Sequence, residues 1–133
     1  MAIFGRFTQR AQRAISEAHQ AAIELKQAYV GTEHFLLGLL REPGPVIADL
    51  LPENVTYESV MERIRTVLGE GKHTPNGRID LTPRSKKILE GSVIESKKLN
   101  HSFVGVEHLW LSLLREGEGV AVSLLREMHV DTQ

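Results

Sequence analysis

The sequence predicts an all-α protein made of two pseudosymmetric helical repeats. Two observations carry that prediction. First, the chain restates itself: Leu81-Thr-Pro-Arg repeats Phe7-Thr-Gln-Arg, Val104-Gly-Val-Glu-His repeats Val30-Gly-Thr-Glu-His, Leu113-Leu-Arg-Glu repeats Leu39-Leu-Arg-Glu, and Leu124-Leu125 repeats Leu50-Leu51. Every pair is separated by 74 positions, with no gap between Phe7 and Leu51. A period that long marks a duplicated supersecondary unit. Second, apolar residues in each copy recur three and four apart, and no strand-like alternation of useful length appears. The expected organisation is a single domain over 1–133, with repeat one at 7–68, a linker at 69–80 and repeat two at 81–133.

The first helix is expected from Thr8 to Lys26, with Ala11, Ala14, Ile15, Ala18, Ala22 and Leu25 on its buried face and Thr8 as N-cap. Its counterpart carries Ser85, Ile88, Leu89, Ser92, Ser96 and Leu99, with Pro83 in the first turn after Thr82. Both faces hold small residues, which let another helix approach closely. Gly91 inside the second of these costs on the order of 1 kcal/mol relative to alanine; a close helix contact is the explanation to look for.

Gly31-Thr32 and Gly105-Val106 break the chain before a second helix in each half. Phe35 to Leu40 and Leu109 to Leu114 are apolar nearly all round and should be central. Arg41-Glu42-Pro43-Gly44-Pro45 and Arg115-Glu116-Gly117-Glu118-Gly119 end them with turn residues. Third helices are expected over Val46–Leu51 and Val120–Met128. A fourth opens near Thr56 and shows Val60, Ile64, Val67 and Leu68. Its counterpart would open at Val130, three residues before Gln133, so the last helix of the second repeat is missing from this sequence. Gly69 to Asp80, with three glycines and a proline among polar residues, reads as linker.

Composition narrows the function. With 16 basic and 17 acidic residues, no strong field invites nucleic acid or a membrane surface. Without cysteine there is no disulfide framework, thiol catalysis or thiolate zinc site. No signal peptide is legible at the start, and no apolar run approaches the roughly 20 residues of a membrane helix. The expectation is a soluble cytoplasmic protein.

Gly31-Thr32-Glu33-His34 and Gly105-Val106-Glu107-His108 are the segments that point to binding. Each opens a helix, where free N–H groups and the positive helix end suit an anion. Each also carries a carboxylate, and that combination suits a zwitterionic ligand. Thr8 and Arg10, and Thr82 and Arg84, recur as well and are candidates for the same neighbourhoods. A structural alternative stands beside this one. A first-turn glutamate is favoured by the helix dipole by about 0.3–1 kcal/mol, and Thr32 reads as an ordinary N-cap. On that reading Phe35 and Leu109 take the third helical position, so no capping box explains the glutamates.

The six histidines never take a zinc spacing, so no metal is expected. His34 and His108 are expected to pack or hydrogen-bond at the helix starts. Adjacent helical residues do not face each other, which argues against a glutamate–histidine acid–base pair. Gly69-Glu-Gly-Lys-His-Thr lacks both the leading glycine and the Ser/Thr of a phosphate loop, so neither ATP binding nor catalysis is expected. Lys86-Lys87 and Lys97-Lys98 read as solvated helix faces.

Phe4-Gly-Arg-Phe-Thr, the paired Val-Gly-x-Glu-His-x-x-Leu segments and the paired Leu-Leu-Arg-Glu segments together resemble the Clp N-terminal repeat domain, as carried by ClpC-type AAA+ unfoldases. The resemblance runs from about Ile3 to Met128. It implies two four-helix repeats and a non-catalytic role, with ATP confined to motor modules outside this chain. It implies reception of substrates and of adaptors of the MecA or McsB type for delivery to the ClpP protease. It further implies recognition of phosphoarginine, with Glu33 and Glu107 meeting the guanidinium. The segments at Gly31-Thr32 and Gly105-Val106 would lie at the ligand, with Thr8 and Thr82 flanking it. Two departures stand out. Val106 replaces a threonine and is expected to weaken the second site. Pro43-Gly44-Pro45 replaces a glutamate–glycine turn on a surface suited to adaptors. Two other functions remain: a stand-alone repeat protein acting as adaptor or decoy, and a small helical enzyme, which would need Glu33 and Glu107 in one cleft.

Overall fold

The computed structural model describes residues 6–72 and 79–130; the middle of the expected linker, 73–78, lies outside the described residues. Seven helices and one minimal pair of strands are present among them: α1 (Gln9–Glu24), β1 (Tyr29–Val30), α2 (Thr32–Arg41), α3 (Pro45–Leu50), α4 (Tyr57–Val67), β2 (Asp80–Leu81), α5 (Pro83–Lys98), α6 (Val106–Glu116) and α7 (Val120–Glu127). The fold is all-α, as expected.

Thr8 and Thr82 cap α1 and α5. Their hydroxyls accept from the N–H groups of Ala11 at 3.0 Å and Ser85 at 3.1 Å, each cap worth about 1 kcal/mol. Both helices end alike. Lys26 and Asn100 take a left-handed conformation, φ 56° and 58°, and the next N–H groups reach back to Ala22 and Ser96 at 3.0 Å. Thr56 caps α4 by accepting from Ser59 N–H at 3.0 Å. Pro45 opens α3, one residue before the expected start.

The core forms where α1 crosses α2 and α5 crosses α6. Ala11, Ala14, Ala18, Ala21 and Ala22 are buried, and so are Phe35, Leu36, Leu37 and Leu39, which makes α2 the central helix. A methyl group on Gly38 would collide with the carbonyl oxygen of Ala14 and lie 2.9 Å from the nitrogen of Ala18. The two backbones therefore meet at Gly38. The other half solves the same crossing from the opposite side. Gly91 sits against the hydroxyl of Ser112, which stands 74 positions after Gly38 and donates to the carbonyl of Ile88 at 2.7 Å. That is the close contact Gly91 required.

The burial expected on some faces differs. Val67, Leu68 and Leu99 are half exposed or more, whereas Leu25, the counterpart of Leu99, is fully buried. Val67 and Leu68 fall in the last turn and C-cap of α4. Gly71, at the start of the linker, packs beside the end of α1, and its N–H donates to the Leu25 carbonyl at 2.9 Å. Glu95 is an ionisable residue that the periodicity gave no reason to bury. It is 5% exposed and paired with Arg115 at 2.6 Å and Lys98 at 3.9 Å.

The strands join the two halves. Tyr29 and Val30 pair in parallel with Asp80 and Leu81, and Phe7 bridges in parallel to Val104. Phe7 corresponds to Leu81, and Val30 to Val104, so one contact is the pseudosymmetric copy of the other. The next bonds match too: Thr82 N–H donates to the Val30 carbonyl at 3.1 Å, and Thr8 N–H to the Val104 carbonyl at 2.9 Å. The segment leading into the first helix of each half is thus stitched to the segment leading into the second helix of the other.

Candidate functional site

This exchange builds two clefts at the boundary between the halves. The first, of about 770 Å³, brings Gly31, Thr32, Glu33 and His34 at the start of α2 against Thr82 and Arg84 at the start of α5, with Glu118, Gly119 and Val120 closing one side. The second, of about 240 Å³, brings Val106 and Glu107 at the start of α6 against Thr8 and Arg10 at the start of α1, with Pro43-Gly44-Pro45 along its edge. Of the eight candidate residues all but Gly105 line one of the two clefts, and Gly105 directly precedes Val106 of the second. Each threonine–arginine pair lines the cleft that holds the glutamate of the other half.

Within each helix start the register is one residue earlier than expected. Gly31 and Gly105, not Thr32 and Val106, are the N-cap residues. His34 and His108, not Phe35 and Leu109, occupy the third helical position. Each imidazole Nδ1 accepts the N–H of its capping glycine at 2.8 Å. A glycine has no side chain to cap with, so the histidine satisfies the helix start from within. Burial holds the His34 imidazole down to about 4 and lowers His108 too, with Glu107 opposing in the latter case. His34 is therefore neutral at pH 7.

The glutamates sit one position earlier and fold back over the glycines. A methyl group on Gly31 or Gly105 would strike the carboxylate of Glu33 or Glu107. The Gly-x-Glu-His pattern thus has a local reason: glycine leaves room for the carboxylate, and histidine supplies the cap that glycine cannot. Burial raises the Glu33 carboxyl above its usual value, against a backbone hydrogen bond that lowers it.

Thr32 has a different task from the one expected. It is buried, and its hydroxyl accepts the N–H of Ala121, in the first turn of α7, at 3.1 Å. The N-cap of α7 is Gly119, which offers no side chain, so Thr32 caps that helix from 89 positions away in sequence. Val106 has no such duty. Its methyl would lie 3.0 Å from a Cβ placed on Gly44, and Pro45 after it lacks an N–H. Val106 is not the N-cap of α6, so it forgoes no cap there.

The clefts also differ in charge. Arg84 is held by Glu116 at 2.9 Å and Glu118 at 3.6 Å. Arg10, its counterpart, lies beside Gly44 and makes no ion pair among the described residues. Aromatic rings at the rims, Tyr29 on the first cleft and Phe103 on the second, were not singled out in the sequence. Their common offset is the signal that would have found them. No group of metal-ligating side chains is present among the described residues, and no helix of the described residues is long and apolar enough to cross a membrane.

Two pseudosymmetric helical units with a glutamate-bearing helix start in each boundary cleft define a duplicated helical domain. The chain belongs to the Clp repeat (R) N-terminal domain family, which it matches over residues 6–131. It is 42% identical over 130 residues to the ATP-dependent Clp protease ATP-binding subunit ClpC of Staphylococcus epidermidis, and equally so to that of Staphylococcus aureus. Those alignments take in 97% of this chain and 16% of each relative, so the chain spans about one sixth of their length. Among solved structures it is similar to the N-terminal domain of the chaperone ClpD from Arabidopsis thaliana. The TM-score is 0.81 at 25% identity, covering 97% of this chain and 88% of that one. A chain solved in a study of a malarial protein secretion system shares the fold, with a TM-score of 0.73 at 17% identity.

Proposed function

We propose that this chain is the substrate and adaptor recognition domain of a ClpC-type AAA+ unfoldase, and that its two clefts bind phosphoarginine-marked proteins for delivery to ClpP. The observation that carries the reading is the pairing, in each cleft, of a helix start and its folded-back glutamate with the threonine and arginine of the other half. Phosphoarginine joins a dianionic phosphoryl group to a planar cation. Helix-start N–H groups and an arginine suit the first; a fixed carboxylate suits the second. Glu33 and Glu107 line separate clefts, which supports two binding sites and removes the ground for an enzyme using both in one.

The proposed domain is non-catalytic and works in the cytoplasm, with ATP handled by motor modules outside this chain. Adaptors of the MecA or McsB type would dock near Pro43-Gly44-Pro45, on the edge of the second cleft. A stand-alone adaptor or decoy with the same clefts is the alternative; a phosphate loop in the same polypeptide beyond Gln133 would exclude it.

Calorimetric titration with phosphoarginine, against arginine and phosphoserine, tests the reading. Two-site binding of phosphoarginine alone is expected. Hydrogen bonds to charged groups contribute about 1.5–3 kcal/mol, so Glu33→Ala and Glu107→Ala should each weaken one site by roughly tenfold or more. A folded double variant that binds as the parent does would refute it.

A further inference from the structure

The two capping histidines are chemically alike at one nitrogen and different at the other. Each Nδ1 accepts a glycine N–H, so each neutral ring carries its proton on Nε2. In the second half that proton is taken. His108 Nε2 lies 2.8 Å from Nδ1 of His101, and His101 is itself stacked on Phe103 at 4.9 Å. In the first half the position of His101 is filled by Gln27. His34 is 2% exposed, and its Nε2 is buried with no hydrogen-bond partner.

A buried N–H without an acceptor costs about 1–3 kcal/mol, and such a group calls for an explanation. The other buried side-chain donor without a partner among the described residues, Trp110 Nε1, borders neither cleft. His34 does border the first cleft, and so does Gln27, whose half-buried side chain belongs to the same wall. The wall of the cleft therefore holds a buried imidazole donor at a helix start, together with Gln27, the counterpart of the residue that engages the equivalent nitrogen in the second half.

We infer that His34 Nε2–H is a ligand contact of the first cleft, donating to an acceptor oxygen of the bound molecule once Gln27 turns aside. This rests on the phosphoarginine reading, and it makes the two clefts unequal for a reason other than Val106. In the second half the equivalent donor is engaged by His101, and His108 is not among the residues that line the second cleft. The acceptor is either a phosphoryl oxygen or a carbonyl of the flanking peptide; both are oxygen acceptors for the same N–H.

The test isolates the first cleft with Glu107→Ala and titrates phosphoarginine, free and within a short peptide. Gln27→His rebuilds the histidine pair of the second half and should consume the donor, weakening the first cleft roughly three- to tenfold, the range of one hydrogen bond. Gln27→Ala leaves the donor open and should bind as tightly as the parent or more so. In the parent, ¹⁵N NMR of His34 should show a protonated Nε2 whose resonance moves on saturation. A shift with free phosphoarginine assigns the phosphoryl oxygen; a shift with the peptide alone assigns the carbonyl. Normal phosphoarginine binding with an unmoved His34 resonance and an unaltered Gln27→His affinity overturns the inference alone. Equal weakening by Gln27→Ala and Gln27→His assigns the contact to Gln27 and overturns it as well. Absence of phosphoarginine binding to the parent overturns the function reading and this inference with it.

Discussion

Replacing Thr32 with valine separates two roles that the sequence cannot tell apart. As a ligand hydroxyl, Thr32 would matter for binding; as the remote cap of α7, it matters for stability. Valine is nearly isosteric, is β-branched like threonine, and already stands at position 106 in the other half, so the substitution removes an acceptor and little else. It leaves the N–H of Ala121, a fully buried residue, without the oxygen it meets at 3.1 Å. The cost of a buried donor left unpaired is about 1–3 kcal/mol, and the loss of a threonine cap about 0.5–2 kcal/mol. These describe one event, so roughly 1.5 kcal/mol is the central expectation. With an unfolding entropy of about 2.1 cal/mol/K per residue, a domain of this length should lose about 5 °C in Tm. Thermal unfolding followed by circular dichroism measures it, and hydrogen exchange at Ala121 should quicken locally. Thr32→Ser keeps the oxygen and should recover most of the loss. Phosphoarginine affinity should change less than the roughly tenfold expected of Glu33→Ala. An unchanged Tm together with a tenfold loss of binding would show that the hydroxyl serves the ligand and that the α7 cap is incidental.

The helix crossings give a contrasting pair. Gly38→Ala gains about 1 kcal/mol of helix propensity but drives a methyl into the Ala14 carbonyl. Overpacking of about 1–3 kcal/mol or more should prevail, and a raised midpoint in urea unfolding would contradict the crossing. Gly91→Ala meets a side chain rather than backbone, the hydroxyl of Ser112, which can turn away by giving up its bond to the Ile88 carbonyl, so the loss should be milder; equal losses would mean that side-chain relief does not operate there. Acid should destabilise the fold through His34. Its folded value is about 4 and its unfolded value about 6.5, so the unfolded chain binds the extra proton between them. The associated stability is present above pH 6.5 and fades as pH falls towards 4, with roughly 2 kcal/mol gone by pH 5. Glu33, raised by burial, works the other way as pH climbs above 4.5, so Glu33→Gln should steepen the acid loss; urea midpoints that stay level from pH 7 to 5 in both proteins would count against the buried neutral imidazole.

Much of the fold was legible because its signals are local. Thr8, Thr82 and Thr56 cap as their positions suggest, the alanine face of α1 is buried, and Gly91 marked a close crossing before any partner was known. The helix starts at Gly31 and Gly105 were legible as candidate sites, yet their register was not. Thr32 looks like a cap by residue type. The fact that a histidine side chain takes the glycine N–H, while the threonine turns to another helix, depends on atoms 89 positions away. Burial of Glu95 is not legible in the sequence for the same reason: its partner Arg115 belongs to a neighbouring helix.

By itself the sequence determined the duplication, the helices, the small-residue crossings and the two segments worth calling sites, since each depends on residues within a few turns of one another. Only the tertiary structure decided which copy pairs with which. A repeat of 74 positions makes Phe7 equivalent to Leu81 and Val30 to Val104, so pairing within halves and pairing across them use the same residue types. The fold takes the crossed pairing, Phe7 with Val104 and Val30 with Leu81. That choice sets Thr82 and Arg84 opposite Glu33, and Thr8 and Arg10 opposite Glu107. Sequence periodicity records equivalence, whereas contact requires proximity, and in a duplicated chain the first cannot supply the second.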